Sequence, residues 1–231
     1  ERMDSSAGHF LIFYPSDDAS VTGKVAEAAR ALEDAYSKIA GLGLDWGRRT
    51  RWPMRVVIRP LGAGYQDHWG MAEPSILGKD YWSITLNYDK LTGSDLSDAF
   101  RATIGHELFH VMQDLYEPRN AYRVAKFASN WLWFWEAAST WLEAEMLNDP
   151  SYVAGTVADD NFAFFTRHGL EFPPGDRAAV RAHGYGASMF LRFLTNNGAP
   201  PTAIGEVIKK ASTPAPGVLG GSYYSPVEVM N

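Results

Sequence analysis

Apolar residues in the first ninety positions recur mainly with the short period of β-strands. Three short segments predict strands: 10–14 (FLIFY), 54–60 (MRVVIRP) and 80–88 (DYWSITLNY). Between the first two, KVAEAARALEDAYSKIA has helical spacing, with Asp17 or Asp18 as its cap and Gly41 and Gly43 as its stop. The Gly-rich stretch 61–75 predicts a loop. This half of the chain therefore predicts strand, helix, strand, strand.

Beyond residue 95 the apolar positions follow the helical period. Four helices are predicted, at 95–116, 128–147, 184–197 and 201–212, and a Pro/Gly-rich loop at 213–226. Asp95 or Ser97 can cap the first of these helices, and Pro118 ends it. We predict an α+β fold in one domain, 1–231. A small mixed sheet with helices would form the first sub-lobe (1–117), and helices most of the second (118–231).

Composition and charge narrow the classes of function. The net charge of −6 is spread without a basic block, which argues against a nucleic-acid partner. The absence of cysteine excludes disulfides, thiolate catalysis and Cys-ligated zinc. No apolar run reaches the roughly 18 residues of a membrane span. Four tryptophans at helical spacing between 131 and 141 predict a packed core rather than a carbohydrate-stacking surface.

The stretch IGHELFHVMQDLY, residues 104–116, places two of the six histidines on one helix face. His106 and His110 are four residues apart, so both imidazoles can point at one metal ion. Glu107 follows the first histidine and could take a proton from water on that metal. The alternative is an ordinary histidine pair. The surrounding residues are mostly apolar, and burying two imidazoles and a carboxylate is costly unless something binds them. The pattern therefore favours a catalytic metal site.

A catalytic zinc site needs a third protein ligand. Glu136 lies in WFWEAASTW on the next predicted helix, and a buried carboxylate there needs a partner. The alternative, a charge on a solvent-facing helix surface, fits Glu143 and Glu145 better. The motif with a third histidine is excluded, because it needs Gly and His where this chain has Gln113 and Tyr116.

These residues carry a resemblance to a known class of enzymes. HELFH followed by the Glu of WEAASTW resembles the gluzincin class of zinc metallopeptidases, which includes thermolysin. GYGASMFLRFL (184–194) resembles a segment of hyicolysin-like bacterial neutral metallopeptidases. The resemblance spans about residues 80–197. It implies a thermolysin-like catalytic domain with zinc in a cleft between the lobes, a substrate-binding edge strand and peptide-bond hydrolysis.

The chain departs from the thermolysin pattern at one position and partly matches a second class. Thr140 stands where thermolysin-like members have an acidic residue that supports a zinc histidine, so that role would pass to Thr140, to Glu143 or to a backbone carbonyl. GTVADDNF (155–162) partly resembles the aspzincin signature, in which Asp159 would be the third ligand instead of Glu136.

The remaining polar residues include candidates for other parts of a catalytic site. Tyr185 and His183, in RAHGYGAS, are candidate donors to the oxyanion, with flanking glycines that let the backbone approach a substrate. The strand 81–87 is either an edge strand that pairs with substrate or an inner strand. His9 and His68 are predicted at the surface and His168 in a loop.

The sequence therefore predicts a zinc-dependent peptidase. Zn²⁺ would be held by His106, His110 and Glu136, with Glu107 as base and acid and a polypeptide as substrate. Three alternatives remain open: a metallopeptidase-like binding module, a zinc hydrolase of non-peptide amides or esters, and a structural metal site. The chain begins at Glu1 rather than Met. We expect it to be part of a longer exported bacterial protein, secreted or at the cell surface.

Overall fold

The computed structural model describes residues 1–15, 19–75, 78–91, 96–117, 129–157, 159–170, 177–213 and 225–230. Within them, five short strands form one mixed sheet: β1 Arg2–Asp4, β2 Phe10–Phe13, β3 Met54–Arg59, β4 Gly70–Glu73 and β5 Ser83–Asn87. Their order across the sheet is β1-β2-β3-β5-β4. The three central strands are parallel, whereas β1 and β4 run antiparallel to their neighbours at the two edges.

Seven α-helices are found in the same residues: α1 Ala19–Gly41, α2 Asp98–Tyr116, α3 Ser129–Leu147, α4 Asp159–His168, α5 Arg177–Asn196, α6 Thr202–Ala211 and α7 Pro226–Met230. The predicted α+β class with a small mixed sheet is thereby confirmed. The thermolysin-like arrangement, the zinc cleft and the division into two sub-lobes stay predictions. No helix in the described ranges is long and apolar enough to cross a membrane.

Helix α2 carries the HELFH motif, and it lies between the sheet and helix α3. Its start is fixed by Ser97, whose hydroxyl accepts a hydrogen bond from Phe100 N–H at 3.3 Å, as the sequence predicted. The alternative cap Asp95, the stop Pro118 and the α1 caps Asp17 and Asp18 lie outside the described residues. One buried cluster runs from strand β2 through α2 to α5, so the motif helix is part of the main core.

Helix α3 is apolar on nearly all sides, and the fold buries it accordingly. Trp131, Trp133 and Trp141 are at most 4% exposed, which confirms the core prediction for these three, whereas Trp135 is only partly buried and packs against the core. The axes of α2 and α3 come close because Gly105 has no side chain: a Cβ there would lie 2.3 Å from Met146 Cγ. Because of this close packing, the histidine motif of α2 faces Glu136 of α3.

The sequence prediction was wrong at the sheet edge. Strand β4 lies inside the stretch 61–75 predicted as a loop, and β5 is an inner strand between β3 and β4. Strand β5 is also shorter than predicted, because single turns of 3-10 helix flank it at Lys79–Tyr81 and Tyr88–Lys90. A four-residue strand containing one glycine shows too little alternation to be recognised alone. The edge strand beside α2 is therefore β4.

Two further elements were missed or shortened in the prediction. Helix α4 was not predicted, and α5 begins at Arg177 rather than near residue 184. Helices α1, α3 and α6 match their predictions within a few residues, apart from the earlier start of α1 at Ala19. Most of the predicted loop 213–226 lies outside the described residues.

Candidate metal centre

Three side chains from two helices converge on one point. His106 Nε2 and His110 Nε2 are 3.1 Å apart, and they lie 3.5 Å and 3.4 Å from Glu136 Oε2. Ligand atoms that each lie about 2.05 Å from a tetrahedral zinc ion are about 3.3 Å from one another. The three separations therefore match the spacing that a zinc ion imposes, and two nitrogens with one oxygen are a typical zinc donor set. The predicted residues come together as expected.

Burying this cluster without a bound cation is energetically unfavourable. The side chains of His106, His110 and Glu136 are 12%, 19% and 4% exposed. Burial alone would raise the pKa of Glu136, but the two imidazoles lower it far below its usual value. For His106, burial lowers the pKa, yet hydrogen bonds with Glu136 and Glu143 raise it well above normal. Either a proton or a metal ion can therefore neutralise the carboxylates here, and the two compete for the same atoms.

The other ring nitrogen of His106 is bound by a carboxylate. Its Nδ1 lies 2.8 Å from Glu143 Oε1, and Tyr152 Oη donates to Glu143 Oε2 at 3.2 Å. Of the three candidates for the supporting role, Glu143 makes the contact, whereas the buried Thr140 hydroxyl bonds to no described residue. The expectation that Glu143 lies on a solvent-facing surface was wrong, because it is 8% exposed. Helix α3 buries that face against α2.

The second histidine is supported by neutral groups. His110 Nδ1 lies 2.9 Å from Gln113 Oε1 and 3.3 Å from Ser139 Oγ. Gln113 Nε2 in turn donates to the carbonyl of Trp135 at 3.1 Å. On each of the two rings, Nδ1 is bound to an acceptor. The lone pair of each Nε2 therefore faces Glu136. Both rings therefore present the nitrogen that a metal needs.

Arg181 brings a positive charge to the outer side of Glu136. Its Nε lies 3.1 Å from Glu136 Oε1, the oxygen that does not face the imidazoles. The Arg181 side chain is 42% exposed, so water screens this ion pair. Sequence reasoning did not single out Arg181, although it lies four residues before Tyr185 and hence on the same side of α5.

Glu107 is anchored to the edge strand. Its Oε2 accepts a hydrogen bond from Ala72 N–H at 2.6 Å. Asn87 N–H donates to Trp69 O, and the register pairs Gly70 with Leu86 and Ala72 with Ile84. Because hydrogen-bonded pairs alternate along an antiparallel ladder, the backbone groups of Gly70 and Ala72 point away from β5. They therefore face the side on which Glu107 lies.

The two candidate oxyanion donors have different surroundings. Burial, followed by the charge of Glu136, raises the pKa of Tyr185 above its usual value. His183 is fully buried with its ring 5.6 Å from Trp133 and 5.4 Å from Phe165. Burial lowers the pKa of His183 to about 4. These contacts place His183 in an aromatic cluster. Tyr185 is therefore the better candidate for the donor to the oxyanion.

The glycines beside Tyr185 have a different role from the one predicted. A Cβ on Gly184 would lie 2.5 Å from Trp133 O and 2.7 Å from Glu136 Cβ, and one on Gly186 would lie 2.3 Å from Asn161 O. Both glycines therefore let α5 approach its neighbouring helices, α3 and α4, and neither serves a substrate in this way. The approach at Gly184 also sets the position of Glu136.

The group of described residues that could hold a metal consists of His106, His110 and Glu136. Asp159, the alternative third ligand, begins helix α4, and its side chain lies outside the described part of the chain. His168 ends α4 rather than lying in a loop, and His68 is exposed as predicted. His9 was expected at the surface, but it is half-buried, with Nδ1 2.7 Å from Glu33 Oε2 and its ring stacked on Tyr36.

Comparison with known proteins gives no family for this chain. Neither protein-family models, nor curated proteins, nor solved structures match it. The function is therefore inferred from the geometry of the cluster.

Proposed function

We propose that this protein is a zinc-dependent peptidase. The observation that carries the proposal is the convergence of His106 Nε2, His110 Nε2 and Glu136 Oε2 at separations of 3.1, 3.4 and 3.5 Å. These three residues would hold the metal. Three protein ligands leave a fourth position open, which is typical of catalytic rather than structural zinc sites. Zinc bound there supplies a Lewis acid that activates water and polarises a carbonyl.

Glu107 has the position that a general base requires. It adjoins the first ligand in sequence, and its hydrogen bond to Ala72 N–H fixes one carboxylate oxygen. The carboxylate takes the proton from the attacking water and delivers it to the leaving nitrogen of the substrate.

Tyr185 and strand β4 provide the contacts to substrate. The raised pKa keeps the Tyr185 phenol protonated, so it can donate a hydrogen bond to the oxyanion that forms on the scissile carbonyl. The N–H and C=O of Gly70 and the C=O of Ala72 face away from β5, and an extended peptide can pair with them by strand addition, whereas the Ala72 N–H is bound to Glu107. This edge beside the proposed base favours a polypeptide over a small amide or ester.

The test compares Glu107→Gln with wild type, each with its zinc content measured. The assay is hydrolysis of casein and of a peptide library, with and without a chelator. We expect zinc near one per chain in both proteins and a loss of turnover of about 10²–10⁴-fold in the variant. Glu145→Gln, a similar change on α3 at a position that is not part of the cluster, is the matched control and should keep wild-type turnover.

Each of the other outcomes indicates a different function for this protein. Equal turnover in wild type and Glu107→Gln removes the proposed base. Cleavage of small amides or esters but of no peptide indicates a non-peptide hydrolase. Zinc binding without hydrolysis of any substrate indicates a binding module or, if a fourth protein ligand closes the metal shell, a structural site.

A further inference from the structure

Gln113 connects the two halves of the metal centre. It lies on α2, three residues after His110, and is 1% exposed. Its Oε1 accepts from His110 Nδ1 at 2.9 Å, and its Nε2 donates to Trp135 O at 3.1 Å. Trp135 directly precedes Glu136 on α3. A single side chain therefore contacts one ligand and the backbone beside another.

The orientation of the amide follows from its partners. Turning it over would set its oxygen against the carbonyl oxygen of Trp135 and its NH₂ group against His110 Nδ1. Both ends of a buried amide need partners, because an unsatisfied polar group in the core is costly. With Oε1 as the acceptor, His110 carries its proton on Nδ1 and presents the Nε2 lone pair to the metal position.

The other neighbour of His110 makes a longer contact. Ser139 Oγ lies 3.3 Å from Nδ1, whereas Gln113 Oε1 lies 2.9 Å from it, and Gln113 also donates to the Trp135 carbonyl. Gln113 also differs from Glu143, which supports His106 with a carboxylate. The centre thus has one histidine supported by an anion and one by a neutral amide.

We propose that Gln113 is a positioning residue of the metal centre. It holds His110 in the metal-binding tautomer and fixes that ring relative to Glu136 through the Trp135 carbonyl. The inference rests on the proposed function only in requiring that the site bind zinc. Support of this kind accounts for about 10–100-fold in metal affinity at other sites, and we expect a loss of that size without Gln113.

The experiment measures the zinc affinity of the whole chain by competition with a chelator, together with the visible spectrum of the cobalt-loaded protein. Gln113→Met keeps the length of the side chain and removes both hydrogen bonds. Gln113→Glu keeps an oxygen acceptor for His110 Nδ1. Tyr116→Phe is the matched control, because it removes one buried hydrogen bond on the same helix, to Asp45 N–H, away from the metal centre.

We expect Gln113→Met to bind zinc about 10–100-fold more weakly and to change the cobalt spectrum, and Tyr116→Phe to stay close to wild type. Gln113→Glu should bind zinc more tightly than Gln113→Met, because it keeps the acceptor for His110 Nδ1, but less tightly than wild type, because its carboxylate cannot donate to the Trp135 carbonyl. The inference is overturned if Gln113→Met binds like wild type, if Gln113→Glu is equally weak, or if Tyr116→Phe weakens binding as much.

If Gln113→Met does not fold, zinc-loaded wild type decides the question by NMR. The Nδ1 proton of His110 should exchange slowly with solvent, and rapid exchange would overturn the inference. None of these readouts involves hydrolysis. A chain that binds zinc but cleaves no peptide would therefore refute the peptidase and leave the role of Gln113 in place.

Discussion

Asp114 is a buried carboxyl group on helix α2, one turn beyond His110. It is 3% exposed, and its Oδ2 accepts no hydrogen bond from the described residues. Burial raises its pKa to about 6; the charge of Lys79 opposes this shift and that of Glu117 adds to it. In the unfolded chain the same group titrates near pH 3.9. The folded protein therefore retains a proton that the unfolded chain has already released.

The sign of the pH dependence follows from this difference. Between about pH 4 and pH 6 the folded state binds more protons, so stability falls as the pH rises through this range. A pKa difference of about two corresponds to about 3 kcal/mol at pH 8 and about 1.5 kcal/mol at pH 5. Asp114→Asn removes the titrating group. Its stability relative to wild type should rise by about 1.4 kcal/mol from pH 5 to pH 8.

The assay is urea or thermal unfolding of the metal-free proteins at the two pH values. For a chain of this length the expected change is about 3–6 °C in the difference between their Tm values. Other titrating groups, including the metal cluster, are common to both proteins and cancel in the comparison. Asp67→Asn, at an exposed loop position, controls for the loss of one negative charge. A stability difference that is the same at pH 5 and pH 8 would refute the reasoning.

Three further predictions concern the metal centre. Glu143→Met should weaken zinc binding about 10–100-fold, measured by chelator competition, because His106 Nδ1 loses its hydrogen-bond partner; unchanged affinity would contradict this role. Gly184→Ala should lower both Tm and zinc affinity, since its Cβ would lie 2.7 Å from Glu136 Cβ. Gly23→Ala on α1 meets no atom within 4 Å and should not destabilise the protein. Removing zinc with a chelator should lower Tm, by the equivalent of about 2.7 kcal/mol when free zinc had been 100 times its Kd, and an unchanged Tm would argue against a bound metal.

Local sequence carried enough information for the parts of the site that lie on single helices. His106 and His110 face one way because four residues make about one helical turn, whatever surrounds the helix. Ser97 caps α2 through its own neighbouring backbone. Glu136 was also predictable, because a carboxylate within a run of tryptophan, phenylalanine and alanine must be buried and needs a positive partner.

The contacts between elements were not predictable in the same way. The partner of Glu107 is a backbone N–H on a strand that the sequence did not reveal. Glu143 was one of three groups that the sequence offered as support for a zinc histidine, and only the structure shows that it is the one bound to His106. The glycines around Tyr185 looked suited to substrate approach, but they serve helix packing. In each case the atom that makes the contact belongs to a different helix or strand.

The sequence by itself determined that the two imidazoles lie on one face of a helix, because this depends only on their spacing along the chain. Only the tertiary structure decided which strand forms the edge beside Glu107 and which groups support each histidine. Those choices depend on how closely α2, α3 and α5 approach one another. That approach is set by the absence of a side chain at Gly105 and Gly184, which acts between segments distant in the chain.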